Sequence, residues 1–321
     1  MQLQRLLAVA LLAIGCAPGF AAAQADFPSK PIKIVVSFSA GGTTDVIARQ
    51  IATRLSTAWK QPVIVENKPG AGGTLGTDYL VTQPVDGYTL LMSSSGPIVI
   101  SPSLGKALAT DPLTAIVPVI LVADVANILV VSPDYKAKTV PDLVKEGKAR
   151  PGELNYASTG VGTVAHLSGA FFTERMGFTA THVPYKGAEA VTDVMAGRVQ
   201  FMLTDLASVR PHIDAGKLVA LSITDKSALL PGVPTFAEAG YPGIKAFTSF
   251  SVLVPAKVPP PLVKRIAAEV AKAMRNPATA ARLDQQALLP VFDTPEQFTA
   301  ALKEEQQNWG SFIRQHNIQP D

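Results

Sequence analysis

The chain has 321 residues, 47% hydrophobic and 17% charged, with a net charge of +3 and a single cysteine. So much apolar chain with so little net charge excludes a disordered protein, and the length allows roughly two domains. One cysteine excludes an internal disulfide framework and any multi-cysteine metal site, and the scattered Lys and Arg leave no nucleic-acid footprint.

Residues 1–25 read as an export address. Arg5 supplies the positive start, residues 6–14 a short apolar run, and Ala21 to Ala25 the small residues that signal peptidase accepts. Cleavage is expected after Ala23 or Ala25. The run is too short to span a bilayer. Lipidation at Cys16 ranks below cleavage, because Ala13 stands where Leu is usual. Cleavage removes Cys16, so the exported chain holds no cysteine.

The mature chain reads as alternating strand and helix. Residues 33–38 form a continuous apolar strand, of the kind buried on both faces of a parallel sheet. The turn from Ser39 to Thr44 leads into a helix over 45–59, with Ile47, Ile51, Leu55 and Trp59 as its apolar ladder. Thr43 or Thr44 is expected to cap it, and Asp45 suits its positive first turn. A strand over 62–66, a glycine loop at 70–73, a short helix to 81 and a strand over 88–93 follow. The alternation restarts with a helix over 141–149, a strand over 154–157, a second glycine turn at 158–163 and a helix to 175. Leu167, Ala170 and Phe171 are expected on the inner face of that helix. Strands at 183–185, 199–203 and 218–224 and a helix at 188–196 complete this half. Near the end, a helix over 261–275 carries Leu262, Ile266, Val270 and Met274 as its stripe. Thr294 and Gln297 form a capping box for a last helix that buries Phe298, Leu302, Trp309 and Phe312. The apolar stretches 120–131 and 247–254 are expected to connect two lobes, with the C-terminal helices returning to the first.

The chemistry lies in the two glycine turns. One is Ser39-Ala40-Gly41-Gly42-Thr43-Thr44-Asp45; the other runs from Ser158 through Thr159, Gly160 and Gly162 to Thr163. At such a strand-to-helix junction the first helical N–H groups lack partners and sit at the positive end of the dipole, so a carboxylate or phosphate docks there. Each turn alone reads more readily as an ordinary connection; the matched pair is what points to a cleft at the strand ends. Residues 160–165 also fit a dinucleotide fingerprint, but no acidic residue ends the next strand, His182 to Lys186, which counts against a nicotinamide enzyme. Asp205 ends a strand at cleft level and either accepts from a ligand or caps the next helix. His166 either meets the anion or packs. Ser94 and Ser95 either line the cleft or form a polar loop. No metal cluster and no cofactor motif is found.

Several blocks in order then carry a resemblance: Pro28-Ser29-Lys30-Pro31, residues 40–45, Val65-Glu66-Asn67-Lys68-Pro69-Gly70, Asp86-Gly87-Tyr88-Thr89-Leu90, His182-Val183-Pro184-Tyr185-Lys186-Gly187, residues 211–218 and residues 233–240. Together they resemble the Bug receptor family, the substrate-binding proteins of tripartite tricarboxylate transporters. The resemblance implies an α/β, two-lobed periplasmic-binding-protein fold of type II. Each lobe would be a mostly parallel sheet flanked by helices, joined by two crossover strands. The expected bounds are 26–123 with 250–321 for lobe 1 and 124–249 for lobe 2. It further implies a periplasmic monomer that closes on a small carboxylate, held by the two turns through amides, hydroxyls and waters. Delivery would be to a large and a small integral-membrane subunit, with no nucleic-acid partner. The family often has Pro or Ala where Ser37 and Ser39 stand, which leaves the substrate open. A ligand sensor for a membrane kinase, and more remotely an exported enzyme acting on a small acid, are the alternatives.

Overall fold

The computed structural model describes residues 27–105, 111–244, 246–316 and 318. The expected signal segment and Cys16 lie outside them. In chain order the elements are β1 Ile32–Val36, α1 Thr43–Trp59, β2 Val63–Asn67, α2 Thr74–Val81 and β3 Thr89–Ser94. Next come β4 Ile116–Val131, α3 Val140–Ala149, β5 Leu154–Ser158, α4 Val164–Met176, β6 Ala180–Pro184, α5 Glu189–Met195, β7 Phe201–Asp205, α6 Leu206–Asp214 and β8 Val219–Ile223. The chain ends with β9 Phe247–Pro255, α7 Pro260–Met274, α8 Pro277–Gln285, β10 Leu289–Pro290 and α9 Pro295–Gln315. Very short helical turns punctuate these, including one over Gly96–Ile100.

The strands run in the order β2-β1-β3-β9-β4-β7-β5-β6 through a curled sheet. Its two ends are parallel: β1 pairs with β2 and β3, and β5 with β6 and β7. The middle is antiparallel, because β4 and β9 are long strands that run back along the sheet. The 16-residue β4 belongs to both halves. Its first part, through Ala126, pairs with β9; from Asn127 onward it pairs with β7 and β8. Two lobes result, each with its own parallel strands.

Asn127 marks the change-over and is fully buried. Its Nδ2 donates to Ser168 Oγ at 3.3 Å and its Oδ1 accepts from Thr248 Oγ1 at 2.9 Å. Its backbone carbonyl accepts from Thr224 N at 2.8 Å. One side chain thus ties together β4, the start of β9 and α4, where a buried amide left unpaired would cost about 1–3 kcal/mol.

Period-2 alternation sorts the first lobe's strands onto two faces. Ile34, Val36, Leu90 and Met92 lie under α1 and α7, against Ile47, Ile51, Leu55, Ile266 and Val270. Val35, Leu91 and Leu253 face the opposite way, against Phe298, Leu302 and Ile313 of α9. The second lobe centres on Phe172, Phe201, Phe178 and Phe236.

Local expectations met three corrections. The cap of α1 is Gly42, in extended conformation with no side-chain cap bond, and Thr43 and Thr44 sit inside the first turn. In α4 the buried ring is Phe172; Phe171 is half-buried and meets Phe312 edge to face at 5.0 Å. In α9, Ile313 is buried where Trp309 and Phe312 are half-buried. The capping box at Thr294 and Gln297 forms as expected. No described helix is long and apolar enough to cross a membrane.

Candidate functional site

A cavity of about 190 Å³ lies between the lobes. That is below the ~300 Å³ at which pockets begin to take drug-sized molecules, so its occupant is small. Phe38, Ser39, Gly41, Gly42, Thr43, Thr44 and Ser94 line it from β1, α1 and β3, and Thr248 and Phe250 from β9. Facing them are Thr159, Thr163, Val164 and Ala165 at the start of α4, Gly187, Ala188, Val191 and Thr192 around α5, and Thr204, Asp205, Ser208 and His212 along β7 and α6.

The first glycine turn is shaped from behind. Gly41 adopts φ +85°, which favours glycine, and its N–H donates to Asp45 Oδ2 at 3.0 Å. The same carboxylate accepts from Arg49 Nε at 2.8 Å and Asn67 Nδ2 at 2.9 Å, while Asn67 also donates to Phe38 O at 3.0 Å. Burial alone would raise the Asp45 carboxyl, but bonds from Arg49, the Gly41 N–H and Asn67 hold it below the usual carboxylate range. Asp45 is therefore a brace for the turn and does not line the cavity, and Ala40 is exposed outside it.

The second turn has a parallel construction. Thr163 caps α4, its hydroxyl accepting from His166 N at 3.3 Å and donating to Gly160 O at 2.7 Å. His166 is buried behind the turn, with Nδ1 accepting from Gly162 N at 3.3 Å and its ring stacked on His182 at 4.1 Å. It packs, and does not line the cavity. Gly160 and Gly162 also point elsewhere than expected. A Cβ on Gly160 would stand 3.1 Å from Gly72 Cα, and one on Gly162 would stand 2.2 Å from Ser101 Oγ. Both glycines let the backbone of one lobe approach the other beside the cavity. Ser95 does not line the cavity either: just past the end of β3, at the start of the Gly96–Ile100 turn, it is buried beside Glu305 of α9.

Asp205 takes the helix-cap role and also bonds the facing lobe. Its carboxylate caps α6 by accepting from Ser208 N at 2.9 Å, and it accepts from Thr43 Oγ1 of the facing lobe at 2.7 Å. Burial pushes its carboxyl up, opposed by those same bonds. Ser39 Oγ makes a second bond across the cleft, to Lys186 O at 3.2 Å. The lobes therefore meet on both sides of the cavity.

Among the described residues, no Lys or Arg lines it. Its polarity comes from hydroxyls, the Asp205 carboxyl and helix starts. The first-turn amides of a helix have no acceptor within it, and each N-terminus carries roughly half a positive charge. Thr43 and Thr44 of α1 and Val164 and Ala165 of α4 bring two such first turns to one cavity, about one unit of positive charge together. That matches one carboxylate. Among the described residues, no group of three or more His, Cys, Asp or Glu is placed to hold a metal ion.

A family model for the tripartite tricarboxylate transporter family receptor matches residues 47–318. The chain belongs to this receptor family. Among its relatives, the protein BugT of Bordetella pertussis is 38% identical over 320 residues, 98% of each chain. A protein from the tcbD-tcbE intergenic region of Pseudomonas sp. strain P51 is 36% identical over 91% of the receptor and 88% of that protein. Among solved structures, an R. palustris protein with adipate superposes with a TM-score of 0.88 at 30% identity, covering 92% of the receptor and all of that chain. The periplasmic binding protein BugD gives 0.86 at 29% identity over 92% of the receptor and all of that chain. MatC from Rhodopseudomonas palustris, with bound malate, gives 0.85 at 27% identity over 89% of the receptor and all of that chain. Family and fold together describe a substrate-binding receptor of the periplasmic-binding-protein type.

Proposed function

We propose that this receptor captures one small carboxylate between its lobes and closes on it. The carrying observation is the cavity itself: two helix first turns and a ring of hydroxyls face one small space that, among the described residues, no Lys or Arg lines. One ligand carboxylate takes the amides of α4, at Val164 and Ala165, with the Thr159 and Thr163 hydroxyls beside it. The first turn, from Ser39 to Thr44, meets the same ligand directly or through water. Of the residues singled out in the sequence, Ala40, Asp45, Ser95, Gly160, Gly162 and His166 support this site from outside the cavity. Asp205 and Thr43 form a latch that holds the lobes together around the ligand.

The lobes are taken as residues 26–123 with 250–321, and residues 124–249, which puts the hinge where Asp124 of β4 pairs with Ser249 of β9. Export by a cleaved signal segment and delivery to membrane transporter subunits complete the reading. The adipate and malate neighbours support a carboxylate as the class of ligand.

Ala165→Asp tests the site. Asp suits the first turn of a helix, and at Ala165, buried beside the cavity, it sets a fixed carboxylate where the ligand's would lie; unchanged circular dichroism checks that the variant folds. Calorimetry against a panel of small acids should show binding by the parent protein and at least a hundredfold loss in the variant. Unchanged affinity would remove the α4 turn from the site.

A further inference from the structure

His212 lies in a short motif, yet nothing in its spacing marks it as a ligand residue. We propose that His212 reads the far end of the bound acid and so sets which acids the receptor accepts, an inference that rests on the carboxylate reading above. The side of α6 that faces the cavity carries Asp205, Ser208 and His212, spaced by three and four residues and hence on one helix face. At 1.5 Å per residue, His212 stands about 10 Å along the axis from Asp205.

The inner part of that wall is already engaged. Asp205 is held by Thr43 and by Ser208 N, and the Ser208 hydroxyl donates to Asp205 O at 2.9 Å. His212 is different: it is half-buried, and its side chain has no partner among the described residues. Among the described residues it is also the one lining residue whose side chain carries nitrogen. A neutral imidazole offers one N–H donor and one acceptor, where the other polar lining side chains offer hydroxyls or a carboxyl. Between the two ends the wall is apolar at Val191, Phe38 and Phe250. The complementary ligand is an acid with its carboxylate at the α1 and α4 turns, an apolar middle, and a second hydrogen-bonding group, best a second carboxylate, that meets His212.

The test is calorimetry on the whole mature chain with matched pairs: succinate with butyrate, adipate with hexanoate, and a benzenedicarboxylate with benzoate. Each pair differs at the far end only. For the diacid that binds the parent protein best, His212→Ala should weaken binding about 10- to 100-fold, the range of one charge-assisted hydrogen bond, while the matched monoacid is weakened less than threefold. His212→Gln, which keeps an N–H donor, should restore most of the difference. A merely structural role would lower both members of a pair alike, and that result, or no loss on either, would overturn the assignment. Should the parent protein bind none of the acids, the carboxylate reading itself falls and takes this inference with it.

Discussion

Glu305 offers a sharp thermodynamic test of the first lobe. It lies on α9, under the sheet face opposite the cavity, and accepts from Trp309 Nε1 at 3.3 Å. Burial pushes its carboxyl up to about 7, against an ordinary 4.5, with the Ser95 and Trp309 side chains opposing and the neighbouring Asp124 adding to the rise. Asp124 is itself raised by burial and by the charge of Asp293, and its Oδ1 has no hydrogen-bond partner. The folded state therefore holds a proton on Glu305 that the unfolded chain releases at lower pH. Below pH 4.5 both states are protonated and Glu305 costs nothing. Between 4.5 and about 7 the folded state binds more protons than the unfolded one, so stability falls as pH rises; above about 7 the full cost is present. At about 1.4 kcal/mol per tenfold, the difference corresponds to roughly 3 kcal/mol. Glu305→Gln keeps the shape and the Trp309 bond and removes the charge. Urea unfolding at pH 4 and pH 8 should show the variant nearly unchanged at pH 4 and about 3 kcal/mol more stable at pH 8. A stability difference independent of pH, or a variant less stable at pH 8, would refute the buried-proton argument.

Other consequences are equally direct. Thr43→Val removes the hydroxyl that reaches Asp205 across the cleft; ligand affinity should fall about 10- to 100-fold by calorimetry, while the unfolding free energy without ligand changes by less. Gly96→Ala places a methyl 2.9 Å from Gly162 O and 3.0 Å from Thr163 Cα of the facing lobe, with no left-handed φ to complicate it. Small-angle scattering should find that variant more open than the parent protein at saturating ligand, with unchanged circular dichroism. Phe172→Ala empties the middle of the second lobe's aromatic cluster and should cost about 3–5 kcal/mol in denaturant unfolding, with the cavity residues untouched.

The strands and long helices were legible because each carries an uncomplicated apolar period. β1 is apolar apart from Lys33, and the Leu262–Met274 stripe of α7 is fully realised. Phase was harder to read. Adjacent Phe171 and Phe172 give a helix two nearly equivalent choices of inner face, and tertiary packing against Phe201 and Phe236 selected the second. The two glycine turns announced the cleft, but a glycine admits either a ligand or another backbone. Gly160 and Gly162 serve the second purpose, a distinction that requires the facing lobe to be in view. Most of the lining on α5 and α6 went unread, since α6 starts directly after β7 with no glycine to flag it. The pattern Asp205-x-x-Ser208, an acidic cap three residues before its partner, was the available signal. Thr248 and Phe250 were hidden for another reason: β9 returns to the cleft from more than a hundred positions away in sequence, and no local period carries that information.

The most direct measurement pairs each small acid with the primary amide of the same skeleton and titrates both into the purified receptor. If the helix first turns bind an anion, the acid binds and its amide is weaker by at least a hundredfold, because the amide retains the shape and loses the charge. Equal affinity for acid and amide, or binding of a neutral or cationic class in preference to every acid, would contradict the carboxylate site at α1 and α4.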